Sequence, residues 1–180
     1  MLRYDAAAEI YDLRYEEEQV AKYAAAIDGL GEKRFERVLD AGCGTGLLFD
    51  HIVKRVESIV GIDTSRKSLL RAKMRAASCP TINLVLADAD WMPFRARVFN
   101  CTFAVTILQN MPNPVLTLSE IIRVSRDEAV IIATGLKKIF TKEAFAWLLQ
   151  KAGMNIMALK DEEGLKCYVA TCRVAFRAPQ

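Results

Sequence analysis

The sequence predicts an α/β fold, doubly wound, in which a mostly parallel sheet of seven strands is covered by helices on both faces. Short apolar segments alternate with segments of helical periodicity along the chain, as expected when strands are buried on both faces. A glycine-rich turn follows the first apolar segment directly and indicates a strand that passes into a helix. Because 180 residues with 52% hydrophobic content can bury one core, we expect a single domain over residues 1–180.

The first half of the chain contains three predicted strands and the helices that precede or follow them. Gly29 and Gly31 are predicted to end the N-terminal helical segment, and Ser65 is a suitable N-cap for a later helix. The predicted helices cover residues 5–30, 47–53 and 66–77, and the predicted strands cover residues 37–40, 58–63 and 81–88.

The second half continues the alternation and then ends in antiparallel pairing. Strands are predicted over residues 99–108 and 129–134, and helices over residues 114–124 and 142–152. Two further strands, residues 156–160 and 166–173, are separated by the polar turn 161–164. A short polar turn between two apolar segments is typical of a hairpin, so the sheet is expected to close with one.

Composition argues against several classes of protein. Five cysteines without a C-x-x-C pair, together with the single His51, offer too few ligands for a zinc site, and we expect reduced thiols and no metal. A net charge of +3 is small for a dedicated nucleic-acid-binding protein. No apolar stretch approaches the length of a membrane span, and acidic residues interrupt any secretory signal near the N-terminus. We therefore expect a cytoplasmic protein.

The segment Asp40-Ala41-Gly42-Cys43-Gly44-Thr45-Gly46 carries the strongest functional signal. Glycine is needed where a turn takes positive φ and a ligand approaches the backbone, and the next helix offers free N–H groups. A nucleotide-like ligand is therefore expected here, with Cys43 as a small packing residue. The dinucleotide pattern G-x-G-x-x-G requires glycine at Leu47, which disfavours a pyrophosphate.

Two aspartates follow at the ends of the next two predicted strands. Asp63 lies 17 residues after Gly46, where a carboxylate can accept hydrogen bonds from both ribose hydroxyls; S-adenosylmethionine (SAM) and NAD fit equally well. A structural interpretation, in which Asp63 caps the next helix through Ser65, stays open. Asp88 ends the third strand and can accept a hydrogen bond from an adenine amine, which favours an adenosine ligand.

Taken together, the motif D-x-G-x-G-x-G, the acidic ends of strands two and three, and the closing hairpin resemble class I SAM-dependent methyltransferases over residues 1–176. Tyr4-Asp5 and Tyr11-Asp12 are similar to the N-terminal pattern of menaquinone and ubiquinone methyltransferases and of tRNA wobble-uridine methyltransferases. The resemblance implies strand order 3-2-1-4-5-7-6 with strand seven antiparallel. It also implies an N-terminal helical segment, residues 1–31, that covers the SAM site.

The resemblance also assigns roles to individual residues. Asp40 and Gly42 would lie near the methionine moiety and Gly44 and Gly46 beneath the adenosine, while Tyr4 or Tyr11 would approach from the N-terminal segment. The full set implied to bind SAM is Tyr4, Tyr11, Asp40, Gly42, Cys43, Gly44, Gly46, Asp63, Thr64, Ala87, Asp88, Ala89 and Thr106. Trp91 or Ala89 would flank the base.

Substrate contacts are expected from Gln109 and Asn110. Amino-methylating members of the class often carry Asn/Asp-Pro-Pro-aromatic at this point, whereas this chain reads Leu108-Gln109-Asn110-Met111-Pro112-Asn113-Pro114. Methylation of an exocyclic amine is therefore disfavoured, and no catalytic base is assigned.

The expected function is methyl transfer from SAM to an acceptor that is a small metabolite or RNA, with neither favoured. The alternative is a catalytically silent SAM-binding scaffold, or a subunit activated by a partner. Some relatives depend on a small zinc-binding activator, and a partner of that kind or a homodimer is consistent with the apolar composition.

Overall fold

The structure, a computed structural model, describes residues 18–175. The helices are α1 (18–28), α2 (Phe49–Ile52), α3 (Arg66–Arg75), α4 (Pro114–Val124) and α5 (Lys142–Lys151). The strands are β1 (Phe35–Ala41), β2 (Val56–Asp63), β3 (Ile82–Leu86), β4 (Phe99–Ala104), β5 (Ser125–Leu136), β6 (Met154–Lys160) and β7 (Cys167–Val174). Short 3-10 turns follow α2 and α3 and precede α4.

The seven strands form one sheet in the order β3-β2-β1-β4-β5-β7-β6. Strands β1 to β5 pair in parallel, and β7 pairs antiparallel with both β5 and β6. The sheet confirms the predicted fold class and strand order. From β1 the strand order runs toward β2 and β3 on one side and toward β4 and β5 on the other. Ligands of open α/β sheets bind at such a switch point.

Helices cover both faces of the sheet and divide the core into two clusters. One cluster packs α4 and α5 on the sheet through residues such as Leu118, Ile121 and Phe145. The other packs α1, α2 and α3 through residues such as Ala26, Phe49 and Ala72. Neighbouring residues of β1 enter different clusters, since Val38 faces one and Leu39 the other. The alternation along a buried strand therefore joins the two layers.

Capping residues define where the longer helices begin. Ser65, Asn113 and Thr141 each accept a hydrogen bond from a backbone N–H of the first turn of α3, α4 and α5. Strand β4 ends at Ala104. The apolar sequence predicts a longer strand, which would end at residue 108. The reason is local, because Thr106 has a φ of 60° and interrupts the extended backbone.

The described range, residues 18–175, bears on two expectations from composition. No helix in this range is long and apolar enough to cross a bilayer. The same range contains no group of three or more His, Cys, Asp or Glu side chains arranged to hold a metal ion.

Candidate functional site

A cavity of about 310 Å³ lies at the carboxyl ends of β1, β2, β3 and β4. Its walls come from the glycine turn after β1, from the ends of β2 and β3, and from the segment after β4. The predicted site residues that line it are Gly42, Cys43, Gly44, Asp63, Thr64, Ala87, Asp88, Ala89, Thr106 and Asn110. The structure thus brings most of the predicted set together at the switch point of the sheet.

The glycine turn has the backbone geometry that its sequence predicts. Gly42, Gly44 and Gly46 have φ values of 77°, 54° and 81°, a region that side chains with a Cβ seldom occupy. A Cβ on Gly46 would approach Cε2 of Phe49 to 2.5 Å, whereas a Cβ on Gly44 would meet no atom within 4 Å. Gly46 therefore allows helix α2 to pack closely, while Gly44 presents open backbone to the cavity.

Asp63 connects the glycine turn to the start of α3. Its Oδ2 accepts a hydrogen bond from the Gly44 N–H at 2.9 Å, and its Oδ1 accepts one from the Ser65 N–H at 2.8 Å. Both roles considered from sequence therefore coexist, because Asp63 braces the turn before α3 and also lines the cavity. Carboxylate oxygens are strong hydrogen-bond acceptors, so ligand hydroxyls are chemically suited partners for this side chain.

Asp40 is the second-to-last residue of β1, just before the glycine turn, and is almost completely buried. Its exposed fraction is 3%, and its Oδ2 has no hydrogen-bond partner among residues 18–175. Burial, with a smaller contribution from the charge of Asp63, raises the pKa of Asp40 from its ordinary 3.8 to about 8. The carboxyl group is therefore mostly neutral at pH 7, and a nearby cation would favour its ionised form.

Thr106 ties together the elements that border the other end of the cavity. Its N–H donates to Oγ1 of Thr134 on β5 at 2.8 Å, and its carbonyl accepts from the Asn110 side chain at 2.9 Å. Its hydroxyl contacts Gln19 at 3.3 Å and Lys22 at 3.5 Å. A positive φ is costly for a β-branched residue, so these contacts hold a strained backbone next to the cavity.

Helix α1 contributes three side chains that the sequence analysis missed. Gln19 and Tyr23 line the cavity, and Lys22, which is 2% exposed, lies behind Thr106 and pairs with Glu18 at 2.7 Å. Positions 19, 22 and 23 share one helix face. In the sequence, polar residues at these positions occupy the face that an amphipathic helix normally packs on the core with apolar residues. That departure could have identified them as candidate site residues.

Four of the predicted site residues in the described range do not line the cavity, one of them being Trp91, which is 73% exposed. Asp40 and Gly46 are buried outside the lining, and Gln109 carries a buried Oε1 that has no hydrogen-bond partner among the described residues. Tyr4 and Tyr11 lie outside the described residues, and their assignment stays a prediction. Burial raises the pKa of the Cys43 thiol, with smaller contributions from Asp40 and Asp63. Cys43 is therefore part of the cavity wall and is not a nucleophile at neutral pH.

Asp40 makes the stability of the protein depend on pH in a defined direction. Between pH 4 and pH 8 the folded protein keeps a proton on Asp40 that the unfolded chain releases, so the free energy of unfolding falls as the pH rises. We expect Asp40→Asn to remove this dependence. Urea unfolding at pH 5 and pH 8 should show the variant gaining stability relative to the wild type at the higher pH; parallel changes in both proteins would contradict the burial argument.

Comparisons with known proteins agree with this geometry. The family model described as "Methyltransferase domain" matches residues 39–133, which is more than half of the chain. The ubiquinone biosynthesis O-methyltransferase of Paracidovorax citrulli is 33% identical over 94 residues, covering 49% of this chain and 38% of the relative. A demethylmenaquinone methyltransferase of Staphylococcus aureus is 28% identical over 106 residues, covering 57% and 44%. The chain spans less than half the length of the curated relatives it matches.

Solved structures share the whole fold at low sequence identity. The Haloferax volcanii protein seen in complex with the Trm112 methyltransferase activator superposes with a TM-score of 0.81 and 12% identity, covering 96% of this chain and 98% of that one. The N-methyltransferase NodS of Bradyrhizobium japonicum, in complex with S-adenosylhomocysteine (SAH), gives a TM-score of 0.74 and 12% identity, covering 89% and 88%. With the family model and the seven-stranded fold in agreement, the chain belongs to the methyltransferase-domain family of SAM-dependent methyltransferases.

Proposed function

We propose that this protein transfers a methyl group from SAM to a small aromatic alcohol that enters the cavity between α1 and the segment after β4. The observation that carries the proposal is the cavity wall in which Asp63 holds the open backbone of Gly44. SAM would supply a methyl group bonded to a sulfonium, whose transfer to a nucleophile leaves a neutral thioether. The protein's own task is then to align the donor and the acceptor.

The described residues suit the parts of the donor. The Asp63 carboxylate can hold ribose hydroxyls, and Asp88, an exposed residue at the mouth of the cavity, can accept from an adenine amine. Asp40 supplies a buried acid with an unpaired oxygen next to the glycine turn, and Lys22 supplies a buried cation behind Thr106. Neither residue lines the cavity, so they would act on the ammonium and the carboxylate of an amino acid moiety through their charge and not through direct contact.

The acceptor side of the cavity favours a small apolar molecule over RNA. Its described lining residues include Val105, Ile107, Met111 and Pro112, and no Lys or Arg belongs to the described lining. Phosphate contacts, which dominate the affinity of nucleic-acid-binding proteins, need such cations. The quinone-related names of the two curated relatives fit an aromatic acceptor.

Side chains at this end orient the acceptor and are weak bases. Gln19, Tyr23, Thr106 and Asn110 offer amide and hydroxyl groups, whereas the carboxylate of Asp63 lies among the donor contacts. General-base assistance matters most for acceptors that hold their proton tightly. A phenol, which ionises more readily than an alkyl alcohol, suits a site whose described residues mainly position the nucleophile.

A second proposal concerns activation by a small partner protein. Leu70 and Met74 on α3 are 55% and 78% exposed, and Leu86 on the edge strand β3 is 57% exposed. Ile82 and Leu84 of β3 pack in the same core cluster as Ala72 of α3. Alternate residues of a strand face the same side of the sheet, so Leu86 is on the α3 side as well. An apolar surface beside an open strand edge favours a protein partner, and the structural neighbour solved with an activator supports this assignment.

Binding of SAH tests the donor half of the proposal. We expect calorimetry to show binding of SAH to the wild type and no binding of NAD. Asp63→Asn should weaken SAH binding by about 10- to 100-fold, since hydrogen bonds to charged groups contribute about 1.5–3 kcal/mol. Asp127→Asn, which changes an exposed aspartate that pairs with Arg97 at 3.6 Å and lies outside the described cavity lining, is the matched control. Equal affinities of the two variants would overturn the role of Asp63.

Transfer of tritium from methyl-labelled SAM tests the acceptor. We expect label in a catechol or a short-chain hydroquinone and none in bulk tRNA, because the acceptor side includes apolar residues and the described lining contains no Lys or Arg. Label in tRNA would contradict the small-molecule assignment. If SAH binds and no acceptor is labelled, the silent-scaffold or partner-activated alternative replaces the proposal of a self-sufficient enzyme.

Light scattering of the purified chain tests the partner surface. We expect a monomer whose Leu70, Met74 and Leu86 patch stays exposed and whose tendency to aggregate falls in the Met74→Glu variant. Lys73→Glu, which changes the charge of an exposed neighbour on α3 without removing apolar surface, is the matched control. A stable dimer that Met74→Glu dissociates would assign the patch to a second copy of the chain and contradict the activator proposal.

A further inference from the structure

Helix α4 holds the segment that follows β3 through three side chains on one face. Thr117, Glu120 and Arg123 are spaced three residues apart, so they project from neighbouring turns of the helix. Thr117 Oγ1 donates to Oδ1 of Asp90 at 2.5 Å, and Glu120 Oε2 accepts from the Met92 N–H at 3.0 Å. This face of α4 is called the clamp below.

Arg123 completes the clamp with two bonds to backbone carbonyls. Its Nη1 donates to the carbonyl of Phe94 at 2.7 Å and its Nη2 to that of Met92 at 3.0 Å. It also forms a two-point pair with Glu120, at 2.6 Å from Nε and 2.8 Å from Nη2. The hydrogen bond from Arg123 holds the pKa of Glu120 below its usual range against the opposing effect of burial. The pair therefore stays ionised, and its bonds to the segment are charge-assisted.

The clamped segment has no helix or strand of its own, yet it begins at the cavity wall. Residues 87–89 line the cavity, and residues 87–98 contain only turns and bends. The Asp90 N–H donates to Oδ1 of Asp88 at 2.9 Å. Thr117 therefore acts on Asp88 through Asp90, and Glu120 with Arg123 fixes the backbone just beyond. Backbone hydrogen bonds from the Ala87 N–H to the Asp63 carbonyl and from the Trp91 N–H to the Asp88 carbonyl, both at 3.1 Å, fix the start of the segment, and the clamp adds the side-chain contacts beyond it.

We propose that Thr117, Glu120 and Arg123 are positioning residues for the adenosine half of the donor, acting through Asp88 and Ala89. The inference rests on the proposed function, because it takes the cavity to be the donor site. None of the three clamp residues lines the cavity. Their effect is to keep one wall in its binding geometry before the ligand arrives, which lowers the cost of ordering that wall upon binding.

Binding of two adenosine ligands to clamp variants tests this proposal. Arg123→Met removes both carbonyl contacts, and we expect it to weaken SAH and 5′-methylthioadenosine by a similar factor of about ten, since charge-assisted hydrogen bonds are lost. The two ligands share adenosine but not the amino acid moiety, so equal losses place the defect at the adenosine end. Glu120→Gln, which keeps an acceptor for Met92, should lose less affinity and serves as the milder variant if Arg123→Met folds poorly.

The matched control is Arg126→Met. Arg126 forms a two-point pair with Glu36 at 2.6 and 3.0 Å, on strands β5 and β1 and away from the cavity lining. The Arg126→Met variant should bind both ligands with the affinity of the wild type, whatever its melting temperature. A spectroscopic readout comes from Trp91 in a Trp147→Phe background, where SAH should change the emission less in Arg123→Met than in the parent.

Each outcome is decisive. Unchanged affinity for both ligands in Arg123→Met and Glu120→Gln would overturn the positioning role while leaving the proposed function intact. A loss for SAH alone would also overturn it, because the defect would then concern the amino acid moiety. Failure of the wild type to bind either ligand would overturn the proposed function and this inference with it.

Discussion

The hydrogen bond between the Gly44 N–H and the Asp63 carboxylate is the interaction on which the site depends. It fastens the turn after β1 to the end of β2, and the second oxygen of Asp63 fastens the same point to the start of α3. The Gly42 and Cys43 N–H groups both donate to the carbonyl of Ile62, which reinforces the connection. Two parallel strands thus share one rigid rim, and the open backbone at Gly44 becomes a surface that a ligand can approach.

Two helices complete the cavity from opposite faces of the sheet. Helix α1 brings Gln19, Lys22 and Tyr23 to the end at Thr106, while α4 holds the wall that begins at Asp88. Two buried ionisable groups lie outside the lining near this cavity, Asp40 on β1 next to the glycine turn and Lys22, which is paired with Glu18 and contacts Thr106. The doubly wound topology makes this possible, because the switch point leaves space that only elements from both layers can close.

The sequence predicted the fold and the cavity residues at the ends of β1, β2 and β3 more completely than the cavity residues that α1 contributes. Strand periodicity, the glycine turn and strand-end acids are local patterns, so Gly44, Asp63 and Asp88 could be found without a structure. The strained backbone of Thr106 shortened β4 and has no local signal, because its cause is contact with Thr134, Gln19 and Asn110. The clamp was missed for the same reason, since Glu120 and Arg123 resemble an ordinary surface pair until the segment after β3 is placed beside them.

The central claim is that the rim formed by Gly44 and Asp63 holds the ribose of the donor. A crystal structure of the protein with SAH tests it most directly. The account predicts both ribose hydroxyls within hydrogen-bond distance of the Asp63 carboxylate, with the bond from the Gly44 N–H retained. An SAH molecule bound elsewhere, or bound in the cavity without contact to Asp63, would contradict the account.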